Sequence, residues 1–251
     1  MTSVVKETRI TITPSVSYLV CGTNRSGSNL LGGLLKSTGV AGRPEEYFWR
    51  GHEADWAERW GASDPAEYVR AAIEAGTTPN GVFGAKLMWP HMDDLLAKVS
   101  VISEDRRESA LGLLDCVFPN LRFIWIWRED MVAQAVSFSR AIQTDEWTAG
   151  VRNRPGGEPR FDFKHIRALH DEVIRQNRAW RRWFELNGIA PTRVRYEDLV
   201  DDMEAVTFRV LDSLGVEVPP GTTPEAKHSK QADAISAEWI SRYRAEAGSS
   251  S

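Results

Sequence analysis

Residues 16–39 contain the feature that most constrains this chain: an apolar run, VSYLVCG, a turn of small and polar residues, then SNLLGGLLKSTG. The run reads as a buried strand and the last segment as a helix stopping at Gly39. The pattern recurs. GVFGAKLMW, LRFIWIWR and PTRVRYEDLV read as three further strands. Between and after them lie helical patterns: DPAEYVRAAIEAG, with a start signal at Asp64 and Pro65 and a stop at Gly76, then HMDDLLAKV, ESALGLLDCVF, EDMVAQAVSFSRAIQT, a long amphipathic stretch over 162–187, and DMEAVTFRVLDSLGV. GRPEEYFW reads as extended or turning, kept out of helix at its start by Pro44. Strands alternating with helices predict right-handed βαβ units, hence an α/β fold with a mainly parallel central sheet flanked by helices. Ligands in such folds bind beyond the carboxyl ends of strands, which directs attention to residues 22–29, 86–91 and 128–137.

The first of these turns departs from the nucleotide-binding P-loop, G-x-x-x-x-G-K-[ST]. Gly22 and Gly27 keep the spacing, but Ser28 and Asn29 stand where the lysine and the Ser/Thr belong, and Arg25 stands inside the loop. A strand, a glycine turn and a helix start present free backbone N–H groups to an anion, and Ser26 and Ser28 add hydroxyls. The plainer reading is a strand-to-helix turn with a serine cap. A kinase or NTPase would use the lysine on the transferred phosphate and the hydroxyl on Mg²⁺. Arg25 offers charge and two-point hydrogen bonding without a metal, so no metal is expected. Arg128 ends the third strand and Ser137 follows nine residues later, a second place for an anion, although an arginine ending a strand is also a common solvated cap. Two such places on neighbouring strand ends suit a nucleotide with separated phosphates.

Those residues carry a resemblance. YLVCGTNRSGSNLL, TGVAGRPEEYF, NGVFGAKLMW, QAVSFSRAIQT and QNRAWRRWF, in order over residues 17–244, resemble the bacterial trehalose 2-sulfotransferase family. The resemblance implies a P-loop-like sulfotransferase fold and 3′-phosphoadenosine 5′-phosphosulfate (PAPS) as donor, with no metal. The missing lysine would then follow from the absence of a γ-phosphate–Mg²⁺ unit. By the same resemblance, Arg25, Ser26, Gly27, Ser28 and Asn29 hold the 5′-phosphosulfate, and Arg128 with Ser137 holds the 3′-phosphate. Lys230 and Gln231 contact the nucleotide from the last segment, although the family often has arginine at the first of these positions. Glu46, the second glutamate of RPEEYF, is the base for the acceptor hydroxyl. Adjacent residues of an extended segment face opposite sides, so Glu46 and not Glu45 is expected in the cleft. Lys86 would neutralise the sulfonate or leaving phosphate, or form a buried ion pair; His91 is the reserve base.

The acceptor pocket is expected from residues 43–63, 89–95 and 140–160. The first stretch is shorter than in the trehalose enzyme and differs after EEYF. The acceptor is therefore expected to be a hydroxyl of a sugar, a glycosylated compound or another small molecule. RNRPGGEPR, within 150–160, reads equally as a lid or a surface loop. Two other functions remain compatible with the loop: a metal-dependent nucleotide or sugar kinase borrowing Lys86, and a non-catalytic nucleotide-binding protein.

Bulk properties narrow the setting. The 251 residues carry a net charge of -4, which disfavours a generally basic nucleic-acid binder. The chain shows neither a signal-peptide pattern nor a membrane-length apolar run. Two cysteines, Cys21 and Cys116, form no disulfide framework and read as inert core thiols. A cytoplasmic protein is expected, with one domain over 17–245 and flexible segments at 1–16 and 246–251. The resembling family also implies a homodimer. Ten tryptophans suit core packing or the aromatic walls of a sugar or base site.

Overall fold

All four strands form, and all run parallel. The computed structural model describes residues 13–102, 109–147, 158–226 and 234–249. β1 (Val16–Gly22), β2 (Val82–Met88), β3 (Leu121–Trp127) and β4 (Thr192–Arg195) make one sheet in the order β2-β1-β3-β4. The chain leaves β1 for β2 on one side and then crosses to β3 on the other. That reversal opens a crevice at the carboxyl end of β1, between the turn after it and Arg128 beyond β3.

Around the sheet lie α1 (Ser28–Ser37), α2 (Glu53–Trp60), α3 (Pro65–Gly76), α4 (Met92–Val99), α5 (Ala110–Val117), α6 (Met131–Thr144), α7 (Phe163–Leu186), α8 (Tyr196–Asp201), α9 (Met203–Leu214) and α10 (Ala234–Gly248). Several starts follow the side-chain rule for helix caps. Asp64, Asp130, Asp162 and Asp202 each accept a backbone N–H from the first turn of α3, α6, α7 and α9.

Alternation along the strands divides the core in two. Leu19, Cys21, Phe83, Leu87, Phe123 and Trp125 pack with residues of α3, α4, α5 and α7, among them Leu95, Leu114 and Trp180. Tyr18, Val20, Ile124, Ile126 and Val194 face the other way, onto α1 and α9. Each fully buried large apolar side chain stabilises the fold by about 1.5–3 kcal/mol. A smaller third cluster joins α6, α7 and α10 through Val136, Ile166, Trp239 and Tyr243. α10 is pinned to α6 by polar contacts as well: Arg244 to Asp130 at 2.9 Å and Arg140 to Ser236 at 2.5 Å.

Several expectations need correction. Only TRVR of the fourth strand pairs; Tyr196 already begins α8, whose first turn holds Glu197 and Asp198 where the helix dipole favours acids. α10 continues to Gly248, so the start of the expected tail at 246–251 is helical. Cys21 is buried as expected, but Cys116 is exposed on α5, because only Leu114 of that helix is buried. Among the described residues, no helix is long and apolar enough to cross a membrane.

Candidate active site

The turn after β1 is built for close backbone approach. A Cβ on Gly22 would meet Ser26 Oγ at 2.9 Å and the Ile126 carbonyl oxygen at 3.2 Å, so a side chain there would crowd the turn against β3. The Gly22 carbonyl accepts a 2.8 Å hydrogen bond from the indole of fully buried Trp180 on α7. Gly27 sits at φ +99° and is the N-cap of α1, and no side chain caps that helix. Its missing Cβ leaves room for Tyr196, whose Cδ2 would lie 2.4 Å away. The first-turn amides of α1 therefore face the crevice without a capping side chain. Beside them lies the buried Ser26 hydroxyl, which has no hydrogen-bond partner among the described residues.

Cations gather at the same place. Arg25 adopts φ +64°, a left-handed conformation uncommon outside glycine. Its Nε donates to Ser137 Oγ on α6 at 3.0 Å, and a terminal nitrogen donates to the Trp147 carbonyl at 2.5 Å. The Asn29 amide reaches that same carbonyl at 3.4 Å. Burial, and then the neighbouring Arg128 guanidinium, hold Arg25 below the usual arginine value; Arg140 adds to this, while Tyr196 and Glu146 oppose it. Arg128 lies over the Tyr196 ring at 4.7 Å, a cation–π contact, and its Nε is buried without a hydrogen-bond partner among the described residues. The sequence assigns Arg25 and Ser137 to separate anion sites. In the fold they touch, so the two expected sites would share a wall.

Two carboxylates lie near this loop, on a segment beside β2. Glu45 bridges to Ala85, placing the RPEEYF segment beside β2, and the Glu45 carbonyl accepts the Lys86 N–H at 2.9 Å. Lys86, only 8% exposed, donates to Asn29 Oδ1 at 2.5 Å. Its Nζ lies 3.5 Å from Glu46 and 4.0 Å from Glu45, which also pairs with Lys36 at 2.7 Å. Strict alternation would separate the two glutamates. A single bridge does not impose it, and two long side chains both reach the ammonium. His91 follows β2 and packs 5.9 Å from the Trp49 ring. Burial lowers its pKa, against the pull of Glu46 and Asp94, so both base candidates share one neighbourhood.

The fold brings Arg25, Ser26, Gly27, Ser28, Asn29, Lys86, Arg128 and Ser137 to one crevice, at the strand ends where the sequence directs attention. Lys230, Gln231 and residues 150–157 lie outside the described residues. Tyr196 escapes the sequence reading, which covers Gln134 and Trp147 only as members of the stretches 128–137 and 140–160, with no role of their own. Tyr196 follows a strand, so the same rule applied to β4 would have found it. Gln134 stands three residues before Ser137, on the same helix face. Nothing in the sequence around Trp147 signals a carbonyl near Arg25.

With this geometry in hand, comparisons with known proteins are specific. A family model described as Stf0 sulphotransferase matches residues 17–246. Trehalose 2-sulfotransferase from Mycobacterium tuberculosis (strain ATCC 35801 / TMC 107 / Erdman) is 33% identical over 259 residues, spanning 92% of this chain and 95% of that protein. Trehalose 2-sulfotransferase from Mycolicibacterium smegmatis (strain ATCC 700084 / mc(2)155) is 35% identical over 260 residues, with the same coverage of 92% and 95%.

Proposed function

We propose that this chain, which belongs to the Stf0 sulphotransferase family and so is a sulfotransferase, uses PAPS as donor and a sugar hydroxyl as acceptor, with Glu46 as base. The acceptor oxygen attacks the donor sulfur in line. The bond from sulfur to the 5′-phosphate oxygen breaks, adenosine 3′,5′-bisphosphate leaves, and the hydroxyl proton passes to Glu46. The first-turn amides of α1, with Arg25, Ser26 and Ser28, take the negative charge that grows on the leaving phosphate. Arg128 and Ser137 receive the 3′-phosphate. Lys86 bridges donor loop and base: it holds Asn29 while keeping positive charge beside Glu46.

One observation carries the reading. Arg25 and Arg128 converge on the uncapped start of α1, and the buried Nε of Arg128 lacks a hydrogen-bond partner among the described residues. A nucleotide with two separated phosphate groups would satisfy that arrangement. The sugar acceptor rests on the names of the two relatives and on the aromatic group beside Glu46, in which Trp49 packs on His52 at 4.2 Å and on His91 at 5.9 Å. Cytoplasmic residence belongs to the same proposal.

The test is incubation with PAPS and separate sugars, trehalose included, with mass spectrometry of the products. The proposal expects a singly sulfated sugar that appears only with PAPS. Turnover of none of the sugars, while another hydroxyl compound is sulfated, would overturn the acceptor half. Transfer from a different sulfuryl donor alone would overturn the PAPS half.

A further inference from the structure

The turn that bears Arg25 is gripped at a point outside the anion-binding residues. Gln134, on α6, is completely buried. Its amide nitrogen donates at 2.7 Å to Thr23 Oγ1 and at 2.7 Å to the Asn24 carbonyl oxygen. The Asn24 oxygen can only accept, so the amide orientation is fixed: nitrogen faces the loop. Three residues further along the same helix, Ser137 accepts from Arg25 Nε at 3.0 Å. Helix α6 therefore holds both ends of one strained unit. Gln134 fixes the peptide plane between Asn24 and Arg25, and Ser137 receives the Arg25 side chain. Between them Arg25 keeps φ +64°, a left-handed conformation unfavourable for a non-glycine residue.

We propose that Gln134 is a positioning residue for sulfuryl transfer: it locks the Asn24–Arg25 peptide and so aims Arg25 at the 5′ end of the donor. This inference rests on the PAPS reading above. Gln134 touches no substrate in this account and acts only through the loop. Because Arg128 does not depend on the Asn24 carbonyl, the effect of losing Gln134 falls mainly on the 5′ side and reaches the 3′ side only through the contact of Arg25 with Ser137. A residue that merely fills the core would affect both sides alike or neither.

The experiment measures dissociation constants of adenosine 3′,5′-bisphosphate and of adenosine 3′-monophosphate, which lacks the 5′ group, by calorimetry. It compares the unsubstituted chain with Gln134→Met, a near-isosteric change that removes both donors. Two lost hydrogen bonds correspond to roughly 10-fold weaker bisphosphate binding, with the monophosphate changed by less than about 2-fold. Thr23→Val removes one of the two bonds at nearly constant volume and is the fallback where Gln134→Met does not fold. Its expected loss is about 3-fold on the bisphosphate alone. Equal weakening of both nucleotides, or of neither, in the variant that folds would overturn the positioning role while leaving the donor reading intact. If the unsubstituted chain gains nothing from the 5′-phosphate, the donor reading fails and this inference falls with it.

Discussion

The ammonium of Lys86 stands 3.5 Å from the Glu46 carboxylate while donating at 2.5 Å to Asn29, a residue 57 positions away in the first turn of α1. One nearly buried cation thus ties the proposed base to the proposed donor loop. In water such a pair is worth little, but burial strengthens the charge–charge term and makes loss of either partner costly. In the proposed reading, Lys86 on β2 therefore sets the spacing between the donor loop and the base.

Replacing Glu46 with Gln keeps the shape and removes the proton acceptor. Turnover should fall by about 10²–10⁴-fold, the usual worth of a general base. Affinity for adenosine 3′,5′-bisphosphate should stay nearly unchanged by calorimetry. Unchanged turnover would remove Glu46 from the chemistry and bring His91 forward.

Arg128→Ala removes a guanidinium whose Nε has no hydrogen-bond partner among the described residues. A charge-assisted hydrogen bond to the 3′-phosphate predicts roughly 10–100-fold weaker binding of adenosine 3′,5′-bisphosphate. ADP, without a 3′-phosphate, should lose far less. Equal losses for the two nucleotides in parallel titrations would place the 3′-phosphate elsewhere.

Two glycines of the same region should respond oppositely to alanine. At Gly27, φ is +99° and the new Cβ would lie 2.4 Å from the Tyr196 ring. Gly27→Ala should lower the melting temperature by several degrees, at about 2–4 °C per kcal/mol for a chain this size, and abolish nucleotide-induced stabilisation. Gly33 lies inside α1, and an alanine methyl there would meet nothing within 4 Å. Gly33→Ala should gain about 0.5–1 kcal/mol from helix propensity alone and leave nucleotide binding as it was. A scanning-calorimetry comparison of the pair decides whether the loop's shape or mere helix content controls the site.

His91 supplies a pH dependence whose sign follows from its lowered pKa. The unfolded chain takes up this proton at higher pH than the folded chain does. Its contribution to stability is thus complete above the ordinary imidazole value, about 6.5, and is lost as pH falls through the lower folded-state value. His91→Gln should flatten this acid-side decline in melting temperature while leaving the curve above neutrality alone. An unaltered slope would assign the decline to other groups.

β1, β2 and the middle of β3 were legible because they are buried on both faces, which leaves an apolar run; VSYLVCG coincides with β1 residue for residue, whereas β4 buries only Val194. α2 was not legible: EADWAERW buries none of its residues fully, and its short stripe of Trp56, Ala57 and Trp60 packs on the core from a polar background. In α10 only Trp239 and Tyr243 are buried, too sparse a signal against a polar background. The site divides in the same way. Residues supplied by one strand-turn-helix unit, Arg25 to Asn29, can be read locally. The contact of Arg25 with Ser137 spans 112 positions, and the grip of Gln134 on Thr23 spans 111, so only folding reveals them.

The most direct test of the central claim is thermal unfolding with adenosine 3′,5′-bisphosphate, with ADP, and with ATP plus Mg²⁺, in parallel. Ligand at a hundred times its Kd stabilises the folded chain by about 2.7 kcal/mol, or roughly 5–10 °C here. The account predicts a shift of that size with the bisphosphate and little with the other two. A shift with ATP and Mg²⁺ but none with the bisphosphate would contradict it, because the lysine-free loop would then be holding a metal-bound triphosphate after all.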